Sequence, residues 1–222
     1  MPLPLLVIPI VAVAVATFGG AVIFAAIPKI WKILDKHTVA ILGAPQTGKT
    51  ALIRLLRDVD APDSGLQAAA SGEDRGRFKV EIKGKTVDFA VPRDVPSMNG
   101  LNVGEWKDAF DDAEHVWYLF RADLVARGDA GTTQMVKTHL ALFKKWIDAQ
   151  PGSAPKILLV GTWADEHPDR SLSLSQVAKQ VEDTDVIKFG SAQLGGAPVV
   201  VGSLVTSKDA DRLLKGIKSR LQ

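Results

Sequence analysis

The chain has 222 residues, 46% of them apolar, and a formal net charge of +2. The near balance of charge gives no basis for a nucleic-acid partner, and the apolar share is enough for one sizeable core. Cysteine is absent, which excludes disulfides, thiolate metal sites and thiol nucleophiles. The four histidines (His37, His115, His139 and His167) have no metal-ligand spacing, and His139 falls in a helical pattern as a solvated or core residue.

Residues 3–27 form a run of 25 positions without a charge. As a helix the run would be about 37 Å long at about 1.5 Å per residue, enough to cross a hydrocarbon core of about 30 Å. A buried core helix is rarely apolar all round at this length. A cleaved signal peptide would carry a positive n-region, and the first basic residue is Lys29. An interfacial helix would need a polar face, which the run lacks. The reading is one N-terminal transmembrane helix. Lys29, Lys32 and Lys36 follow at once, which places them and the rest of the chain in the cytoplasm. Trp31 fits the interfacial belt. Residues 1–37 are therefore read as the span with its basic juxtamembrane segment, close against the lipid bilayer, and residues 38–222 as one domain.

An apolar strand at 38–42 runs into Gly43-Ala-Pro-Gln-Thr-Gly-Lys-Thr50, which fits G-x-x-x-x-G-K-[ST]. A helical pattern follows it. Strand, loop and helix in this order are the context that a phosphate-binding loop needs. Gly43 and Gly48 let the backbone curl so that its N–H groups converge on an anion. The start of the helix adds the positive end of its dipole. The phosphate-binding positions are Gly43, Gln46, Thr47, Gly48, Lys49, Thr50 and Ala51. Lys49 would reach the β and γ phosphates as the catalytic cation, and the Thr50 hydroxyl would ligate Mg²⁺.

Beyond the loop, strands are expected at 77–83, 86–91, 115–120, 156–161 and 198–202. Helices are expected at 49–58, 104–113, 132–149, 171–182 and 207–221. Residues 116–120 and 157–160 are continuous apolar runs, the mark of central parallel strands covered on both faces. Lys83-Gly84-Lys85 reads as a hairpin turn. Within 132–149, Val136, Leu140, Phe143 and Ile147 share a face, and Ser207 is placed as the N-cap of the last helix. One hairpin followed by βα units predicts an α/β three-layer sandwich with a six-stranded, mostly parallel sheet.

In this order of elements, residues 38–222 resemble the small GTPases, in the translation-factor-related group of P-loop proteins. Asp94-Val-Pro-Ser97 stands where the family has D-x-x-G, and the resemblance makes Asp94 a Mg²⁺ residue acting through a bound water; Asp88 is a rival acid six positions earlier. Met98 stands where a glutamine often orients the attacking water, which implies slow or partner-assisted hydrolysis. Gly161-Thr-Trp-Ala-Asp165 resembles the guanine-reading motif [NT]-K-x-D. The resemblance implies that Asp165 accepts from the guanine N–H groups, that Thr162 fills the Asn/Thr position, and that Trp163 replaces the lysine beside base and loop. Ser203, after the last strand, matches the short serine motif near the guanine oxygen better than Ser191, which precedes that strand. Residues 61–77 and 94–106 would be switch loops facing a protein effector or regulator. They contain no threonine equivalent before the hairpin, only Ser64 and Ser71.

The resulting expectation is a membrane-anchored protein that binds GTP or GDP with Mg²⁺. Its layout is similar to that of the signal recognition particle receptor β-subunit family. A non-hydrolysing nucleotide-binding scaffold and a P-loop ATPase are the alternatives.

Overall fold

The computed structural model describes residues 27–57, 76–82, 85–92, 103–150, 152 and 154–221. Six strands form one sheet in the order β2-β3-β1-β4-β5-β6. They are β1 (Thr38–Gly43), β2 (Gly76–Ile82), β3 (Lys85–Val91), β4 (His115–Arg121), β5 (Lys156–Thr162) and β6 (Val199–Val201). Five are mutually parallel, and β2 joins the edge antiparallel to β3. The pairing of Ile82 with Lys85 agrees with a two-residue hairpin, whose own residues lie outside the described set.

Helices cover both faces, so the central strands carry apolar residues at consecutive positions. Alternate side chains then go to opposite cores. Leu42, Val116, Tyr118, Phe120 and Leu159 meet α3 (Val103–Asp111), α5 (Ala130–Ala149), α6 (Leu174–Glu182) and α7 (Asp185–Gln193). Val39, Ile41, Trp117, Leu119, Leu158 and Val160 meet α1 (Ile27–Leu34), α2 (Lys49–Arg57) and α8 (Ser207–Arg220). The short α4 (Ala122–Ala126) follows directly on β4.

The stretch between the predicted span and the first strand is not an open linker. Ile30 and Leu34 of α1 are 1% and 0% exposed, packed in the second core. The turn after α1 is tied to the start of β3: Lys36 N donates to Thr86 O at 2.7 Å, Thr86 N donates to Asp35 Oδ1 at 3.1 Å, and Asp88 N donates to His37 O at 3.2 Å. Helix α1, before residue 38, is thus part of the packed unit. The predicted span lies almost wholly outside the described residues. Among the described residues no helix is long and apolar enough to cross a membrane.

Helices α4 and α7 were not expected. α7 contains Gly190, a poor helix former, but a Cβ there would collide with the Leu140 side chain of α5. The close approach of two helices outweighs local propensity. α6 starts at 174 rather than 171, because Ser173 and Gln176 form a capping box. The cap of α8 is Thr206, not Ser207: the Thr206 hydroxyl accepts from Asp209 N at 3.2 Å. On α5, Val136, Leu140 and Phe143 are buried together with Trp146, and Ile147 packs partly buried against the same core. His139 belongs to that core, with Nδ1 2.9 Å from the Tyr118 hydroxyl, and burial raises the Tyr118 pKa.

His115 opens β4 at the amino-terminal edge of the sheet. Burial, then His37, then Lys156 lower its pKa from 6.5 to about 4. A base whose pKa is depressed by folding contributes stability above its unfolded pKa and loses it as pH falls toward the folded one. The midpoint of urea unfolding should therefore fall between pH 6.5 and 4. A His115→Gln variant should show a shallower fall across that window, read by fluorescence-monitored titration at each pH.

Candidate functional site

Parallel strands end on a common edge, and the register sets what meets there. Gly43 lies beside Leu119, and Arg121 lies beside Thr162. The strand order reverses at β1, where open α/β sheets hold their ligands outside the carboxyl ends of the strands. The phosphate loop leaves β1 at that point.

Gly43 has φ +152°, and a Cβ there would come within 2.5 Å of Leu119 O and 2.9 Å of Thr47 Oγ1. The loop can depart between these groups only without a side chain. Gly48, with φ +82°, closes the loop below Leu204 and Thr162. Thr47 is buried, and its hydroxyl donates to Ala44 O at 2.8 Å. Lys49 Nζ curls back over the loop and donates to Gly43 O at 2.8 Å and Ala44 O at 2.7 Å. Thr50 and Ala51 are exposed in the first turn of α2, with the hydroxyl oxygen of Thr50 as a hard donor for a divalent cation. Gln46, exposed, adopts φ +63°.

The end of β5 braces this loop. Thr162 is fully buried, and its hydroxyl lies 2.9 Å from Thr47 O and 3.1 Å from Phe120 O, its one hydrogen shared between them. Its role is to tie β5 and β4 to the loop. Trp163 Nε1 donates to Gln46 O at 2.9 Å, so the indole takes a bracing position against the loop where the motif has lysine. Two residues on, in the 3₁₀ turn Ala164–Glu166, Asp165 has a buried Oδ1 with no hydrogen-bond partner among the described residues. Arg170 donates to the Asp165 carbonyl and pairs with Glu166, which pins the turn. An unsatisfied buried carboxylate oxygen costs free energy unless a donor reaches it. Ser203 is buried beyond β6, its Oγ accepting from Val205 N at 3.1 Å, while its neighbour Leu204 approaches Gly48. Ser191 lies instead on α7, bonded to Ala197 O.

Asp94, Ser97 and Met98, with residues 61–75 and 94–102 of the expected switch loops, lie outside the described residues. The rival Asp88 is at the wrong end: it pairs with Thr38, at the start of β1, roughly 16 Å from Gly43 at about 3.3 Å per residue. No cluster of three or more acidic or histidine ligands occurs among the described residues. Three residues that motif reading missed stand behind Trp163: Arg121, Asp123 and Arg127. Asp123 is fully buried between the two arginines, and its hydrogen bond raises the Arg121 pKa. A charged Arg-Ala-Asp directly after an apolar strand was the available signal.

No protein-family model and no curated protein sequence matches the chain. Solved structures do. Toc33 from Arabidopsis thaliana, a dimerization-deficient mutant, superposes with a TM-score of 0.56 at 20% identity, covering 89% of this chain and 93% of that one. The fold is that of the P-loop GTPases. A structure of the chloroplast translocon components atToc33 and psToc159, whose GTPase activity depends on dimerization, gives a TM-score of 0.59 at 19% identity, over 91% of this chain and 94% of that one. The signal recognition particle receptor SRb–GTP/SRX complex from Chaetomium thermophilum gives 0.55 at 13%, over 83% and 98%.

The Thr162 brace can be weighed directly. Thr162→Val keeps the shape and removes the hydroxyl, leaving the buried Thr47 and Phe120 carbonyls with one donor fewer. Unfolding free energy should drop by about 1–3 kcal/mol, measured by urea titration against the parent chain.

Proposed function

We propose that the chain is a membrane-anchored guanine-nucleotide switch with slow or partner-assisted GTP hydrolysis. The observation that supports it best is Asp165 Oδ1, which has no partner among the described residues, at the same sheet edge as a complete phosphate loop. A carboxylate with an oxygen that lacks a donor among the described residues fits the ring N–H and exocyclic amine of guanine. Adenine has no such donor pair.

The residues divide the work. The loop N–H groups and Lys49 hold the phosphates and take up negative charge at the γ position as water attacks phosphorus and the bond to the β-phosphate oxygen breaks. Release from Gly43 O and Ala44 O would free Lys49 for that task. Thr162 and Trp163 keep the loop in shape, and Asp165 selects the base. Mg²⁺, when bound, would supply positive charge to the phosphate oxygens; Thr50 would hold it, with Asp94 as the proposed second residue. Met98 offers no group to orient water, which favours slow turnover. It also supports the second reading, a scaffold that keeps its nucleotide. GTP turnover by the full chain, measured as phosphate release and abolished by Lys49→Ala, separates the two.

For the base, Asp165→Ala should weaken GTP binding by about 10- to 100-fold, the worth of one or two hydrogen bonds to a charged group, and leave ATP binding unchanged in a competition assay. Equal competition by ATP on the parent chain would show an ATPase instead. The uncharged residues 3–27 support the anchor: the full chain should sediment with membranes, resist carbonate extraction and need detergent for release. Recovery in the aqueous fraction would remove that half of the reading. The domain would then face the cytoplasm, with residues 61–77 and 94–106 toward a protein partner.

A further inference from the structure

Two non-glycine residues at the loop edge have a left-handed backbone, Gln46 at φ +63° and Trp163 at φ +61°. They are the two ends of one hydrogen bond, from Trp163 Nε1 to Gln46 O. Such conformations persist only where the surroundings hold them. Something must therefore keep the indole in place, although its ring is not buried in the core. That ring also meets a cation: Arg121 Cζ sits 4.3 Å from its centroid. The guanidinium is itself fixed in plane. Its Nε donates to Asp123 Oδ1 and its Nη2 to Asp123 Oδ2, both at 2.7 Å. Asp123 is fully buried, and Arg127 Nη2 donates to the same Oδ2 at 3.2 Å.

We propose that Arg121 is a positioning residue for the phosphate loop, acting through Trp163. The buried carboxylate on α4 locks the fork, the fork over the ring locks the indole, and the indole N–H holds the turn at Gln46. A lysine could neutralise Asp123, but it presents neither a plane for the indole nor a two-point grip. Arg127 already shares Asp123, so replacing Arg121 does not leave that carboxylate unpaired. The brace concerns the loop in any state. Its consequence for nucleotide release rests on the reading of this loop as the guanine-nucleotide site.

The test uses the full chain without nucleotide, and amide hydrogen exchange across residues 44–48. Arg121→Lys should speed exchange there about tenfold. Trp163→Phe, which keeps a ring but loses the N–H donor, should do the same. The double variant should be no faster than the faster single one, because both break one chain of contacts. Faster exchange that adds in the double variant would overturn the proposal. So would unchanged exchange accompanied by a lower melting temperature, since Arg121 would then only neutralise Asp123. A second arm follows release of fluorescently labelled GDP. Faster release in both single variants supports the brace and the nucleotide reading together. If the parent chain holds no GDP while the exchange pattern appears as expected, the brace stands and the guanine reading falls.

Discussion

The whole carboxyl edge depends on one close approach, that of the β1 backbone to the carbonyl of Leu119 at Gly43. There the chain must leave a central strand and turn at once into a helix, with β4 hydrogen-bonded alongside. No Cβ fits. Because the turn is that tight, α2 can begin at Lys49, six residues after the glycine that ends β1. The rest of the site is arranged to hold this turn: Thr162 from β5 and Trp163 just beyond it each bond to a loop carbonyl.

Those braces explain how a degenerate motif can still shape a site. Trp163 stands where the motif that its stretch resembles has lysine, yet the indole N–H reaches the loop at Gln46. The cost of a half-buried aromatic ring in a left-handed backbone is offset by the Arg121 guanidinium over its face. The buried Asp123 then fixes that plane from α4. The loop edge is thereby tied to an element with no part in the phosphate motif. At the opposite edge α1 is packed under β3 and α8, so the strand that carries the loop is entered from a fixed helix and not from a free tether.

Much of this was legible in order along the chain. The consecutive apolar residues at 116–120 and 157–160 announced central parallel strands because only burial on both faces permits such runs. Gly43, Gly48, Lys49 and Thr50 announced the loop because their spacing carries its mechanics. What went unread has equally physical reasons. α7 is masked by Gly190, which lowers helix propensity but is required by the packing of α7 on α5. α4 is too short for a periodic pattern. Asp88 competed with Asp94 on letters alone, and only pairing with Thr38 removed it to the far edge.

The sequence by itself determined the fold class and the glycine-rich loop after β1, because each depends on local pattern: continuous apolar runs in central strands and glycines where φ is positive. The tertiary structure decided which side chains support them. Gln46, the Arg121–Asp123 stretch and Trp163 are distant in the chain, and register between parallel strands brings them to one edge. Register is a property of the assembled sheet. It arises from the fit of two cores at once, and no window of sequence contains it.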